Sequence, residues 1–482
     1  MVYAVKAYEG DGADYLKLRL ICGLCLAVCL MTMQFGCAVS PYKVSNDVRE
    51  AEIAYGKAAH VSLESFFGFY KHDVLQGYVQ RVGEQLAVLS QRGDIIYRFT
   101  VIDSAEVSVF SLPGGYVYIS RGLLALLNSE AQLAAVLALQ VGHIVSGHVS
   151  AKFIVDNVGV QPGIAGAELA YYKGPFVVPS VYGVITEIIG RGYGLSRELE
   201  AYQLAAGYLT KANYPANALL GLYDVLSRES DKAYLITPVN VTAWLGAGFR
   251  ERLVNIVSEY AWNGREPVAI INREQRFFSR LKGVRIDDND LTRFKKGRVT
   301  HQEMGLGVTM PQGWLSVWGA NLIFAYPSNL DGYIKLSPIV KNPGRALSEK
   351  ISAIKALSPQ AWLTEERLTV WGLRKVVQAV IEVNEQLYLI EASAKAEEVW
   401  EDYYPQFQQV MATIESLPSS GGQGKAEKNE LALLVVSKPT TLEALMAKNK
   451  IYAHSDLTWI RYLNQLNESD SVKVGQYIKV TK

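Results

Sequence analysis

Residues 38–482 contain no cysteine. The four cysteines, Cys22, Cys25, Cys29 and Cys37, all lie in or just after one apolar run near the start of the chain. This excludes a disulfide framework and a cysteine-rich zinc site from the remainder. Charge of one sign is also lacking. There are 48 Lys+Arg against 47 Asp+Glu, a formal net charge of +1, so there is no electrostatic case for nucleic acid or an anionic surface as partner. Beyond the first run, no stretch is long and apolar enough to span a bilayer, which takes ~20 residues.

What is present begins with that run, Leu20–Met33, preceded by Lys17 and Arg19. A positive flank followed by a short apolar core is a secretory signal pattern. The run ends in Gln34-Phe35-Gly36-Cys37, which resembles the lipobox of bacterial lipoproteins, although Gln34 replaces the usual Leu. The resemblance implies a signal peptide over 1–36 and lipid attachment at Cys37. An uncleaved membrane anchor is the alternative. In both cases the rest of the chain is expected to be exported.

The 482 residues leave room for about two to four domains. Residues 45–92 read as helical, with Leu75, Val79, Val82 and Leu86 at 3-4 spacing. "YRFTVID" and Tyr116–Ser120 alternate like strands, the second following the turn Pro113-Gly114-Gly115. Ser129 with Gln132 is a capping-box pattern opening a helix with Leu133, Leu137, Val141 and Ile144 on one face. Residues 160–195 read as loop plus a short helix. A second strong helix runs from a cap at Ser196 to Asn213, and Pro215 suits the first turn of the next. A helical connector is expected over 261–298. After it the pattern turns to strands, with helices near 344–357 and 397–417, so an α+β domain is expected over 299–418. A polar linker, 419–430, leads to a strand–helix–helix–strand module, 431–482.

The chemistry centres on "LALQVGHIVSGH", residues 137–148. With His for Leu139 and Glu for Gln140, it would contain H-E-x-x-H, in which two His one helical turn apart hold zinc and the Glu acts as base. Leu139 offers no lone pair, and Gln140 keeps the shape of Glu without its basicity. His148 lies five residues after His143, about 140° around a continuous helix, and is expected to point elsewhere. On spacing alone His143 reads as a semi-buried core histidine.

The surroundings say more. "VFSLPGGYVYISRGLLALLNSEAQLAAVLALQVGHIVSGHVS" resembles the HtpX/CAAX-protease family of zinc metallopeptidases, most of all its periplasmic, barrel-assembly-enhancing lipoprotein branch. The resemblance covers about 45–260. It implies an α+β chain: a mainly helical zincin-like domain over 37–260 with a small edge-strand sheet, then the α+β domain and a LysM-like βααβ module. In that family the third zinc ligand falls on Glu200 of "SRELEAYQLAAG", a supporting Asp falls on Leu204, and a downstream His-Pro matches Thr237-Pro238. The resemblance thus leaves His143 and Glu200 as surviving metal positions, Leu139 as a lost ligand, Gln140 as a vestigial general-base position and Leu204 as a lost support. It also makes the strand at Gly114, Gly115 and Tyr116 the edge that holds substrate backbone. His301 is expected in the opening strand of the second domain. In the last module Pro439-Thr440-Thr441 stands where LysM has G-D-T, and Trp459 and Tyr462 are spaced as helix neighbours, expected to pack in the core.

The expected function is that of an exported lipoprotein with a metallopeptidase fold and no hydrolytic activity. It would bind unfolded or assembling envelope proteins in quality control or assembly, with no tightly held cofactor. It would sit in the bacterial periplasm, anchored to the membrane through Cys37, more naturally the outer one. One alternative is an active zinc endopeptidase with a rearranged site, in which His72, His148 or Glu198 supplies a ligand. The other is a peptidoglycan-binding protein acting through 431–482.

Overall fold

The structure, a computed structural model, describes residues 46–105, 107–151, 192–227, 248–260, 267–286, 292–295, 297–301, 304–319, 322–327, 331–339, 349, 352, 363–369, 372–394, 396–417, 430–449 and 456–481. Cys37, the signal segment, Thr237-Pro238, the stretch 160–191, most of the helix expected near 344–357 and nearly all of the linker lie outside them. No described helix is long and apolar enough to cross a membrane.

Two helices open the described chain, α1 (Asn46–Phe67) and α2 (Asp73–Ala87). The 3-4 stripe of α2 is buried at Leu75, Val79, Val82 and Leu86, as its spacing requires. His72, a possible replacement ligand, instead caps α2: its Nδ1 accepts from the Leu75 N–H at 3.2 Å. Three short strands follow, β1 (Arg98–Ile102), β2 (Val109–Leu112) and β3 (Tyr116–Ser120). Their order is β1-β3-β2, β1 pairing parallel to β3 and β2 antiparallel.

This corrects the expected substrate edge. The strand after Pro113-Gly114-Gly115 is β3, which has a neighbour on each side and is buried throughout. Tyr116 is therefore interior, and the turn at Gly114 lies against the backbone of α1 at Glu52. The sheet edges are β1 and β2. Two side chains of α2 close β1. Gln80 accepts from the Phe99 N–H at 2.8 Å and donates to the Tyr97 carbonyl at 3.1 Å. Gln76 accepts from the Val101 N–H at 2.9 Å and donates to its carbonyl at 2.8 Å. Four residues apart, the two amides stand side by side and take the place of a neighbouring strand.

Helices α3 (Arg121–Leu126), α4 (Glu130–Val145) and α5 (His148–Ser150) follow directly. The expected cap of α4 forms: Ser129 Oγ accepts from the Gln132 N–H at 3.1 Å. Gln132 reaches one residue further back than a capping box prescribes, accepting from the Asn128 N–H at 2.6 Å. Then come α6 (Leu195–Lys211), α7 (Ala218–Leu226), α8 (Phe249–Ser258) and α9 (Pro267–Leu281). Helix α6 starts two residues earlier than its sequence suggests. Its cap is Gly194, without a side-chain hydrogen bond, and Ser196 lies inside the helix.

Strands begin at Thr292, within the expected connector. β4 (Thr292–Lys295), β5 (Arg298–His301) and β6 (Leu306–Thr309) join the short β13 (Glu415–Ser416) in a four-stranded sheet. A six-stranded antiparallel sheet has the order β10-β11-β12-β9-β8-β7, with β7 (Trp314–Gly319), β8 (Leu322–Pro327), β9 (Gly332–Pro338), β10 (Leu363–Thr369), β11 (Gly372–Val383) and β12 (Gln386–Ala394). Helix α10 (Trp400–Ala412) packs on it through Tyr403, Phe407 and Val410. His301 lies in β5 as expected, buried, with Nδ1 accepting from the Met304 N–H at 3.2 Å. The tail has the expected order: β14 (Leu431–Val435), α11 (Leu442–Lys448), α12 (Leu457–Leu463) and β15 (Tyr477–Thr481), β14 and β15 antiparallel.

Candidate functional site

The site lies where α4, α5 and α6 meet. Gly142 makes the approach possible: a Cβ there would stand 2.8 Å from the Ala201 carbonyl oxygen, so only glycine lets α4 and α6 come this close. Helix α4 stops at Val145. Ser146 caps it, and Gly147 follows at φ 72°, a left-handed residue that ends helices.

That turn overturns the expectation for His148. Five residues along an unbroken helix would carry it away from His143. The chain reverses at Gly147 instead, and His148 Nδ1 lies 3.2 Å from His143 Nδ1. Each imidazole then meets a carboxylate from α6. His143 Nε2 is 3.3 Å from Glu198 Oε2, and His148 Nε2 is 3.1 Å from Glu200 Oε2. Glu198 also accepts the Tyr193 N–H at 3.0 Å, and the Tyr193 ring stacks on His143 with centroids 4.2 Å apart. The result is a chain, Glu198–His143–His148–Glu200. Glu198 and both histidines are buried, while the Glu200 side chain is 38% exposed and gives the chain its opening to solvent.

His148 itself is pushed down to about 4, first by burial and next by the charge of His143, against the pull of Glu200.

The other expected positions are accounted for. Gln140 is buried and accepts a hydrogen bond from Ser111 Oγ of β2 at 2.7 Å. Leu139 is buried in the large core cluster, and Leu204 packs at its margin. The surviving family positions, His143 and Glu200, engage different partners rather than converging on one point.

These residues do not fit the zinc arrangement that the family resemblance implies. Position 139 has no donor atom, and the nitrogens and carboxylates that remain are matched to one another. Among the described residues no group of three His, Cys, Asp or Glu side chains is placed to hold a metal ion. The family pattern gives Glu198 no ligand role, and nothing in it draws attention to Tyr193. The signal for His148 was present in the sequence: Ser146-Gly147 is a helix terminator.

Sequence comparisons find relatives of the segment that carries this site. Residues 73–263 match "Peptidase family M48". The chain is 26% identical over 202 residues to a protein of Vibrio cholerae serotype O1 described as "Putative beta-barrel assembly-enhancing protease", covering 40% of this chain and 41% of that protein. It is 28% identical over 143 residues to the mitochondrial metalloendopeptidase OMA1 of Arabidopsis thaliana, covering 30% of this chain and 28% of the relative. It is 36% identical over 75 residues to the OMA1 of Schizosaccharomyces pombe, covering 16% of this chain and 22% of the relative. The match thus spans less than half of each curated relative. The α4–α6 site lies within residues 73–263, the segment that matches peptidase family M48, a family of zinc metallopeptidases.

Proposed function

We propose that this M48 domain binds polypeptide without cleaving it, as part of a lipoprotein working in envelope protein quality control or assembly. The observation that carries the reading is the closed chain Glu198–His143–His148–Glu200. Groups that would hold a metal and activate water are occupied with one another, beside Leu139 and Gln140. Loss of the base alone removes ~10²–10⁴ in rate.

An extended segment could add to the sheet edge at β2, through main-chain hydrogen bonds. Ser111 of that strand is tied to Gln140, so the former base position braces the binding edge. The description of the Vibrio relative supports an envelope-assembly setting. Lipid attachment at Cys37 and a periplasmic, outer-membrane location extend the same reading, with unfolded envelope proteins as clients.

The test is metal content together with casein cleavage in the purified full chain. Zinc well below stoichiometric and no cleavage are expected. Near-stoichiometric zinc whose removal abolishes cleavage would establish the active endopeptidase instead, with His148 as the replacement ligand. Leu139→His combined with Gln140→Glu is expected to raise zinc content, read by mass spectrometry. No gain would mean that the pocket around Leu204 has closed over the old position.

A further inference from the structure

The C-terminal module has two buried faces. Alternation along its strands separates them. Ala432, Leu434, Ile478 and Val480 face the module's own helices, where they form a small core with Ile460 and Leu442. Leu431, Leu433 and Tyr477 belong instead to the core of the M48 domain, together with Trp459, Tyr462 and Leu463 of α12. Period 2 in the strands and 3-4 spacing in the helix thus give the module one face for itself and one for the rest of the chain. Tyr477 stacks on Phe278 of α9, centroids 4.9 Å apart.

The polar contacts across this boundary are as specific as the apolar ones. Lys479 is fully buried. Its ammonium donates to the carbonyls of Ala125 and Leu127, the latter at 3.0 Å, where the C-terminal end of α3 concentrates negative partial charge. Asn464 fixes the Lys479 backbone from both sides, at 2.7 and 2.8 Å. Gln465 donates to the Leu126 carbonyl at 3.0 Å and meets Gln132, the residue that ties down the start of α4. The chain enters the module through Leu431, which exchanges two backbone hydrogen bonds of 2.8 Å with Gly283 and Val284. Neighbouring Arg285 binds Asp103 at 2.6 Å, which also holds the buried Arg121 at the start of α3.

We propose that residues 431–482 are an intramolecular clamp on the α3–α4 corner, holding the N-terminal end of the site helix, and not a glycan-binding module. The aromatic pair that a glycan would need, Trp459 and Tyr462, packs against the M48 core. A lysine buried against main-chain carbonyls is costly to place there unless those contacts are kept, so the module stays docked.

Hydrogen exchange on the full chain tests this. Lys479→Met with Gln465→Ala removes the side-chain hydrogen bonds across the boundary and keeps most of the apolar surface. Amides of 121–133 are expected to exchange about tenfold faster, the worth of about one hydrogen bond, while β14, β15 and the six-stranded sheet keep their protection. If the double variant fails to fold, Gln465→Ala alone is read in the same way, with a smaller acceleration expected. Unchanged exchange at 121–133 in either folded variant overturns the proposal. So does sedimentation of the wild-type chain with purified peptidoglycan that Trp459→Ala abolishes.

Discussion

At the scale of single residues, a buried carboxylate that serves several donors has a calculable cost of removal. Glu130, in the first turn of α4, accepts hydrogen bonds of 2.8 Å from both Tyr78 and Tyr214. Glu130→Ala would strand the Tyr78 hydroxyl and leave that of Tyr214 with only Gln85 at 3.3 Å, and is expected to destabilise by about 2–3 kcal/mol, whereas Tyr78→Phe should cost about 1 kcal/mol; urea unfolding distinguishes them. His60 gives a pH dependence. Its Nδ1 lies 2.7 Å from the Tyr118 hydroxyl, and its pKa is held below the ordinary 6.5, first by burial, with Arg98 adding to the effect and Glu64 opposing it. On acidification the unfolded chain therefore takes up this proton first. The contribution of His60 is complete above about 6.5 and is lost as the pH falls below it. The urea midpoint should drop between pH 7.5 and 5.5, and His60→Gln should make that drop shallower.

At the scale of elements, close approach and edge closure do the positioning. Gly142 lets α4 and α6 touch backbone to backbone. Gly142→Ala should separate them at a cost of about 1–3 kcal/mol, and the stacking of Tyr193 on His143 should loosen with them, visible as a shifted His143 ring resonance. Gln76 and Gln80 close the outer edge of β1. Replacing both with Ala opens that edge at Tyr97 and Phe99, while the backbone of Gly68 and Tyr70 still pairs with its far end, and open edges invite pairing with other chains. The double variant is expected to aggregate on mild heating at temperatures where the wild type stays monomeric by light scattering.

At the scale of the whole molecule, one cluster of buried side chains runs from Ala59 to Leu463 and includes Phe324, Tyr326 and Tyr333 of the six-stranded sheet, while a second cluster lies beneath α10. The M48 domain and the C-terminal module share the first. They should melt in a single calorimetric transition; an early, separate transition of the module would count against a common core.

Local chemistry was enough for much of this. The stripe of α2, the cap at Ser129 and the βααβ order of the tail follow from periodicity and capping. Those are properties of neighbouring residues, and a sequence states them directly. What depended on distant segments could be decided only by the tertiary structure. Which strand is central depends on β1 crossing back to β3. Which carboxylate meets which histidine depends on the reversal at Gly147 and on the packing of α6 against Gly142. That Trp459, Tyr462 and Lys479 face inward depends on a docking surface more than 300 residues away in the chain. Pairing, register between elements and burial of a module's second face are contacts between remote parts of the chain, and no local pattern encodes which partner will be present.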